Sequence, residues 1–181
     1  MDDQIKNEFK RLESKDKDER YEAYQKILKA TEEKVDWTYE VWDQLLDDLT
    51  HKDNHKRSQA AQYLSNLANS DPERRMLQDF PKVWKVTYDE KFVTARHSLQ
   101  AIWKVGLAGH EQIELIMKYM VDRFKNCLDE KNYTLIRSDI LQNMRNLFDH
   151  LEDEKIKETA LELIETVEDE KYKKKYMKIW K

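Results

Sequence analysis

Apolar residues recur every three or four positions along nearly the whole chain, which is the spacing of one face of an α-helix. One stripe contains Trp42, Leu45 and Leu49, and another contains Ile116 and Met120. Only two glycines and two prolines occur among the 181 residues. The tight turns of sheet proteins and the glycine-rich loop of a nucleotide-binding fold therefore have little support. The sequence predicts an all-α protein.

Polar joints divide these stripes into ten predicted helices. Asp71 and Pro72 resemble an N-cap followed by a proline at the first helical position, and Gly106 and Gly109 resemble a glycine-assisted helix end. Pro81 falls inside a helical run and is expected to kink or split it. The predicted helices span residues 2–13, 17–30, 38–49, 54–69, 73–86, 90–107, 110–127, 132–150, 153–168 and 170–180.

An arginine recurs at nearly regular intervals in the second helix of successive predicted pairs. A small or apolar residue follows each of these arginines by three positions, and Asp16 and Asp53 precede the first two by four positions. The acids before the other two arginines are displaced. The four arginines are Arg20, Arg57, Arg96 and Arg137, separated by 37, 39 and 41 residues. This pattern resembles the HEAT-repeat family over about residues 14–168.

The resemblance implies a right-handed α-solenoid (α-α superhelix) of about four to five HEAT-like antiparallel helix pairs, with a concave surface lined by the second helices. Residues 1–181 then form a single domain, with 1–13 as an N-terminal cap helix and 169–181 as a basic C-terminal helix or tail. Each pair buries its apolar stripe only against its neighbours. A plain multi-helix bundle is the alternative, because the periodicity by itself indicates only amphipathic helices.

The net charge of −4 hides zones of opposite sign. Residues 51–109 carry +4 and contain interleaved aromatic side chains, a combination that suits a nucleic acid backbone. The alternative is that each of the four recurring arginines bonds the acid or the backbone of its own turn, an arrangement that the HEAT-repeat resemblance also favours. The nucleic acid contacts predicted under the first hypothesis are Lys56, Arg57, Lys91, Arg96 and Lys104.

Charge also alternates near the end of the chain, where residues 152–170 carry −7 and residues 171–181 carry +6. The basic segment is either an amphipathic helix for an anionic partner or membrane surface, or a terminal helix that complements the acidic segment before it. The second interpretation is preferred because the apolar stripe formed by Tyr172, Tyr176 and Trp180 is narrow.

Catalytic motifs are sparse. A weaker similarity links the chain to alkylpurine DNA glycosylases built from HEAT-like repeats, through Trp84, Trp103, Tyr88, Asp89 and Arg96. That family's pattern implies a tryptophan followed four residues later by an aspartate, and no tryptophan here has one. No enzymatic activity is therefore predicted.

Metal and redox chemistry have equally little support. His51 and His55 have the four-residue spacing of a zinc-binding pair but no identifiable third ligand, so no metal and no cofactor are expected. Cys127 is the only cysteine and is predicted to be a small buried hydrophobe. The first 15 residues lack the apolar core of a secretory signal and no apolar run reaches membrane-spanning length, so a cytoplasmic location is expected.

The leading functional hypothesis is a non-enzymatic scaffold that binds a protein partner through its concave surface; nucleic acid is the alternative ligand. Polar and aromatic residues beside the core stripe of the second helices are the candidate contacts. They are Gln59, Gln62, Tyr63, Asn66, Lys104, Asn143 and Arg145.

Overall fold

A computed structural model describes residues 1–181 and confirms the all-α prediction, because 76% of the chain is helical and no strand is present. Short 3-10 helices at Ala68–Ser70 and Ile102–Ala108 extend the fourth and sixth α-helices. The ten α-helices are α1 Asp3–Arg11, α2 Lys17–Glu32, α3 Thr38–Asp48, α4 Asn54–Leu67, α5 Met76–Val86, α6 Phe92–Ala101, α7 His110–Asn126, α8 Tyr133–Leu151, α9 Glu154–Glu165 and α10 Glu170–Met177.

Aspartates fix where five of these helices begin. Each aspartate accepts a hydrogen bond from a backbone N–H in the first turn of its helix, which satisfies a donor that has no partner inside the helix. Two of them are the aspartates that precede the recurring arginines by four positions. The capping residues of α1, α2, α4, α9 and α10 are Asp2, Asp16, Asp53, Asp153 and Asp169.

Pro72 departs from its predicted role, whereas Pro81 lies inside a helix as predicted. Pro72 does not occupy a first helical position; it lies in a turn, and α5 begins only at Met76. The intervening Arg74 has a left-handed φ of 54°. Asp71 still caps α5, because its carboxylate accepts from the N–H groups of residues 75 and 76 at 3.0 and 2.8 Å. Pro81 lies within α5 and does not split it.

The two glycines have different roles. Gly109 ends the 3-10 helix with a φ of 157°, as predicted for a helix end. Gly106 lies inside the 3-10 helix, where a Cβ would come within 2.7 Å of the Leu147 side chain and 2.9 Å of the Ile116 side chain. Gly106 therefore packs closely against α7 and α8 and does not end the helix, and a larger residue here would displace the ends of these two side chains.

The helices pack in two sets. Most consecutive helices contact each other, and the even-numbered helices α2, α4, α6, α8 and α10 contact one another in that order. On the other side, α5 contacts α7 and α7 contacts α9. Helix α4 is the most enclosed, because it contacts α2, α3, α5 and α6, and every residue from 60 to 68 is buried.

One continuous hydrophobic core runs through this arrangement. Its 34 buried residues extend from Ile27 in α2 to Trp180 after α10, so both charged ends of the chain share the core. Aromatic side chains such as Trp42, Phe80 and Phe124 are fully enclosed. The even-numbered helices α6 and α8 pack against each other, and side chains near their first turns form the site described next.

Candidate functional site

Four of the seven predicted partner contacts are buried between helices. The amide of Gln62 bonds the hydroxyl of Tyr24 at 2.7 Å, and the amide of Asn66 donates to Thr31 at 3.1 Å and to a backbone carbonyl of α2. Tyr63 is only 1% exposed. These side chains join α4 to α2, so the prediction that they form a solvent-facing surface is wrong.

Asn143 joins α8 to the segment of α6 and its 3-10 extension in the same way. Its amide donates to the carbonyl of Leu99 at 2.8 Å and accepts from the backbone N–H of Trp103 at 3.0 Å. The side chain is 1% exposed and is therefore a link between helices, not a partner contact.

The remaining predicted contacts are partly accessible but do not lie together. Gln59 is half-buried on α4. Lys104 lies 3.4 Å from Glu32 and stacks over the ring of Trp103, whereas Arg145 on α8 bonds Asp149 at 2.8 Å. These three residues lie on three different helical segments.

Two of the four recurring arginines bond the backbone of their own turn, as the structural interpretation predicts. Arg20 donates to the carbonyls of residues 14 and 15, and Arg57 donates to the carbonyls of residues 51 and 52. Arg137 donates to the carbonyl of Phe124 at the end of α7. Arg96 instead bonds Asp139 on α8 through Nε at 2.9 Å and through a terminal nitrogen at 3.3 Å.

Four of the five cations predicted to contact nucleic acid form ion pairs within the protein. Arg57 and Arg96 pair with Asp89 and Asp139, while Lys56 and Lys104 pair with Glu13 and Glu32. Lys91 is exposed and has no ion pair. Three acids from outside the middle segment, Glu13, Glu32 and Asp139, therefore offset part of its positive charge, which the count by segment could not reveal.

A cleft of about 250 Å³ opens between the first turns of α6 and α8, and we call it the α6–α8 cleft. Its apolar lining comes from both helices. Its polar lining comes from the preceding turns, residues 87–90 and 130–132, and from Arg96, Arg123 and Asp139 on α6, α7 and α8. The apolar side chains lining it are Phe92, Ala95, Leu99, Leu135 and Ile136.

Two exposed hydrophobic residues line this cleft, and two more lie within two residues of its lining residues along the chain. Only six large hydrophobic side chains are exposed on the whole protein, and four of them lie on the two turns or on the first residues of α6. Tyr88 is 53% exposed and Phe92 is 42% exposed, and both line the cleft. We call the four side chains Tyr88, Phe92, Val93 and Leu128 the apolar rim.

Acidic groups in the cleft are held by arginines. Asp89 receives two hydrogen bonds from Arg57, at 2.6 and 3.0 Å, and a third from the backbone N–H of Lys91 at 2.9 Å. Burial alone would raise the pKa of Asp89, but these bonds and the Arg57 charge outweigh it and lower the pKa. Asp89 is thus an ionised structural acceptor, and nothing in its surroundings favours a role as a general base.

Arg123 is the residue that sequence reasoning missed. It is 3% exposed and joins the two turns, because it donates to the Thr87 hydroxyl at 2.6 Å and to Glu130 at 2.9 Å. Its guanidinium carbon also lies 3.7 Å from the centre of the Tyr88 ring. Arg123 lies three residues after Met120 and seven after Ile116, so it occupies a position of the apolar stripe of α7. A positive charge at an apolar position was the signal in the sequence that could have identified it.

The other residues of the glycosylase resemblance are dispersed. Trp84 is buried beneath Tyr88, with ring centres 6.4 Å apart. Trp103 lies against His150, at a ring distance of 4.9 Å. Only Tyr88, Asp89 and Arg96 line one cleft, and Arg96 is bonded there to a carboxylate.

The histidine pair does not share a helix face. His51 lies in the turn before α4 and its Nδ1 accepts from the N–H of Asp53 at 3.0 Å, whereas His55 is exposed on α4. No three side chains among His, Cys, Asp and Glu converge in a way that could hold a metal ion. Cys127 is fully buried, as predicted.

A second cleft, of about 520 Å³, lies where α2 and α4 end. It is lined mainly by polar turn residues of segments 68–74 and 108–112. None of the six exposed hydrophobic side chains borders it. The smaller α6–α8 cleft is therefore the better candidate site.

Comparison with known proteins adds no assignment: no family model matches the chain, and no curated protein is significantly similar to it. None of the helices combines the length and the apolar character needed to cross a bilayer.

Proposed function

We propose that this chain is a HEAT-like α-solenoid scaffold that binds a protein partner through the α6–α8 cleft. Support for the solenoid comes from the recurring arginines, three of which bond backbone carbonyls that precede them in the chain, and from the ordered contacts of the even helices. Binding without catalysis fits the neutralised acids of the cleft. A cytoplasmic setting stays a prediction.

The apolar rim is the observation that carries this proposal. Two of the six exposed large hydrophobic side chains, Tyr88 and Phe92, line one cleft, and two more, Val93 and Leu128, lie within two residues of lining residues along the chain. Clusters of exposed apolar side chains mark interaction surfaces. Tyr and Phe supply much of the binding energy in protein interfaces because they bury large rigid surfaces at a small entropic cost. The rim therefore has the composition of a partner contact.

The polar surroundings of the cleft fit a peptide or loop of a partner protein. Arg96 uses Nε and one terminal nitrogen to bond Asp139, and its side chain is 36% exposed, so its other terminal nitrogen can donate to a partner carbonyl. Lys131 and Asn132 add further donors at the same edge. Polar groups that surround an apolar centre give such an interface its orientation.

Affinity capture with matched variants tests the proposal. Phe92→Asp places a charge in the rim at the first residue of α6, where a carboxylate suits the helix dipole and spares the fold. We expect this variant to lose at least about tenfold in affinity for the captured partner, or roughly 1.4 kcal/mol. Tyr21→Asp is the control, since Tyr21 is 64% exposed near the start of α2 and away from the cleft. Equal capture by both variants would refute the site.

A further inference from the structure

The lysines of α10 form a second surface that the proposed function does not use. The lysines at 171, 174, 175 and 178 are separated by three, one and three positions, so they lie on one face of the helix. All four are exposed and none forms an ion pair. We call Lys171, Lys174, Lys175 and Lys178 the lysine stripe.

The opposite face of α10 is committed to the core. Tyr176 is 1% exposed and its hydroxyl donates to the carbonyl of Thr134 on α8 at 2.9 Å. Trp180 packs on Phe148 with ring centres 5.7 Å apart. No apolar side chain of this helix is free to enter a lipid bilayer, so any ligand of the lysine stripe binds through charge.

A neighbouring stripe of opposite charge limits the width of that ligand. On α9, the glutamates at 154, 158, 162 and 165 also share one exposed face. Glu165 lies 3.0 Å from the Nζ of Lys173, a lysine of α10 outside the lysine stripe, so the helix that carries the glutamates packs beside the helix that carries the stripe. Packed helices are about 10 Å apart, close to the screening length at physiological salt. A broad anionic surface on the lysine stripe would also meet the repulsion of the glutamates.

A narrow anionic chain avoids this repulsion. The lysine stripe is about 10 Å long, from the helical rise between Lys171 and Lys178. An extended polypeptide covers that length with about three to four residues. Lysine ammonium groups are hydrated point charges that suit separate carboxylates, whereas paired phosphate oxygens are matched best by arginine.

We propose that the lysine stripe binds an extended segment of a polypeptide rich in aspartate and glutamate. Contact is electrostatic and weakens as salt rises, because every lysine of the stripe is solvent-exposed. This surface is separate from the α6–α8 cleft, so binding to it does not depend on the apolar rim.

The test uses the full chain and a fluorescein-labelled peptide of eight glutamates, with fluorescence anisotropy at low and at physiological salt. Lys174→Glu combined with Lys175→Glu is expected to weaken binding by roughly tenfold at low salt, since two attractions become two repulsions. The control is Lys29→Glu combined with Lys118→Glu, which changes net charge equally at two exposed lysines of α2 and α7 that form no ion pair. Circular dichroism checks that both variants are folded.

Each outcome decides the proposal. Loss of affinity in the stripe variant alone, with no change in Phe92→Asp, supports it. Absence of peptide binding to the unmodified chain at low salt overturns it, as does an equal loss in the control. Tighter binding of a short DNA duplex or of phosphatidylserine vesicles than of the peptide would overturn the choice of a narrow polypeptide ligand.

Discussion

Arg57 joins the turn before α4 to the turn before α6, and its removal tests how strongly these two turns are held together. Its guanidinium bonds Asp89 twice and also donates to the carbonyls of residues 51 and 52, so Arg57→Ala removes four hydrogen bonds. The side chains of Arg57 and Asp89 are only 15% and 7% exposed. The deletion leaves the Asp89 carboxylate with the N–H of Lys91 as its remaining bond.

The magnitude follows from this partial burial. Removing one partner of a fully buried ion pair costs about 3–5 kcal/mol, and the residual exposure and the Lys91 bond reduce this to about 2–3 kcal/mol. For a chain of this length, such a loss lowers the melting temperature by roughly 5–10 °C. Arg74→Ala is the control, because Arg74 and Glu111 form a 2.6 Å pair in which both side chains are more than half exposed. We expect that control to cost less than about 0.5 kcal/mol.

Urea unfolding followed by circular dichroism measures these free energies. A double-mutant cycle with Asp89→Asn isolates the Arg57–Asp89 interaction, for which we expect a coupling of about 1–2 kcal/mol. A coupling below about 0.5 kcal/mol would show that the pair behaves like an exposed one and would refute the reasoning.

The same pair predicts a pH dependence. Since the folded protein lowers the pKa of Asp89, the stabilisation is present above the pKa of the unfolded chain and is lost as pH falls through the folded value. The difference in unfolding free energy between the unmodified chain and Asp89→Asn is therefore expected to stay constant from about pH 7 to pH 5 and to shrink below about pH 4. An increase at low pH would contradict the assigned ionisation.

Three further predictions concern buried groups and nucleic acid. Tyr63→Phe should leave stability unchanged or raise it by up to about 1 kcal/mol in urea unfolding, because the buried Tyr63 hydroxyl has no hydrogen-bond partner; a loss above about 1 kcal/mol would reveal a missed partner. Cys127 should resist a thiol-specific reagent at neutral pH until urea unfolds the chain, since burial raises its pKa; rapid labelling of folded protein would contradict this. In gel shifts at about 100 mM salt, DNA and RNA should not bind, because four of the five candidate cations are paired.

The helices could be predicted closely from the sequence because apolar period and capping residues act locally. Asp16 and Asp53 mark the starts of α2 and α4, and the apolar stripe of α7 runs through Ile116 and Met120 to its end. The prediction that Pro72 is the first residue of a helix was wrong because a left-handed residue, Arg74, moves the start of α5 to Met76. Such a turn leaves no periodic pattern in the sequence.

The candidate site was harder to predict. An apolar stripe identifies one buried face of a helix, but it does not show how many other helices pack around that helix or which polar residues they bury. Gln62 and Asn66 flank the stripe of α4 and look solvent-facing, yet α2 covers them and supplies their hydrogen-bond partners. Asn143 is covered in the same way by the segment around Leu99. Arg123 was missed because its partners lie 36 and 7 residues away and come together only when the two turns meet.

Site-specific photo-crosslinking measures contact at the α6–α8 cleft most directly. A photoreactive phenylalanine analogue at position 92 should form a covalent adduct with one partner polypeptide, and excess unlabelled chain should compete it away. The same analogue at position 21, an even more exposed aromatic position on α2, should form no such adduct. Adducts of equal yield from both positions, or from position 21 alone, would contradict partner binding at the cleft.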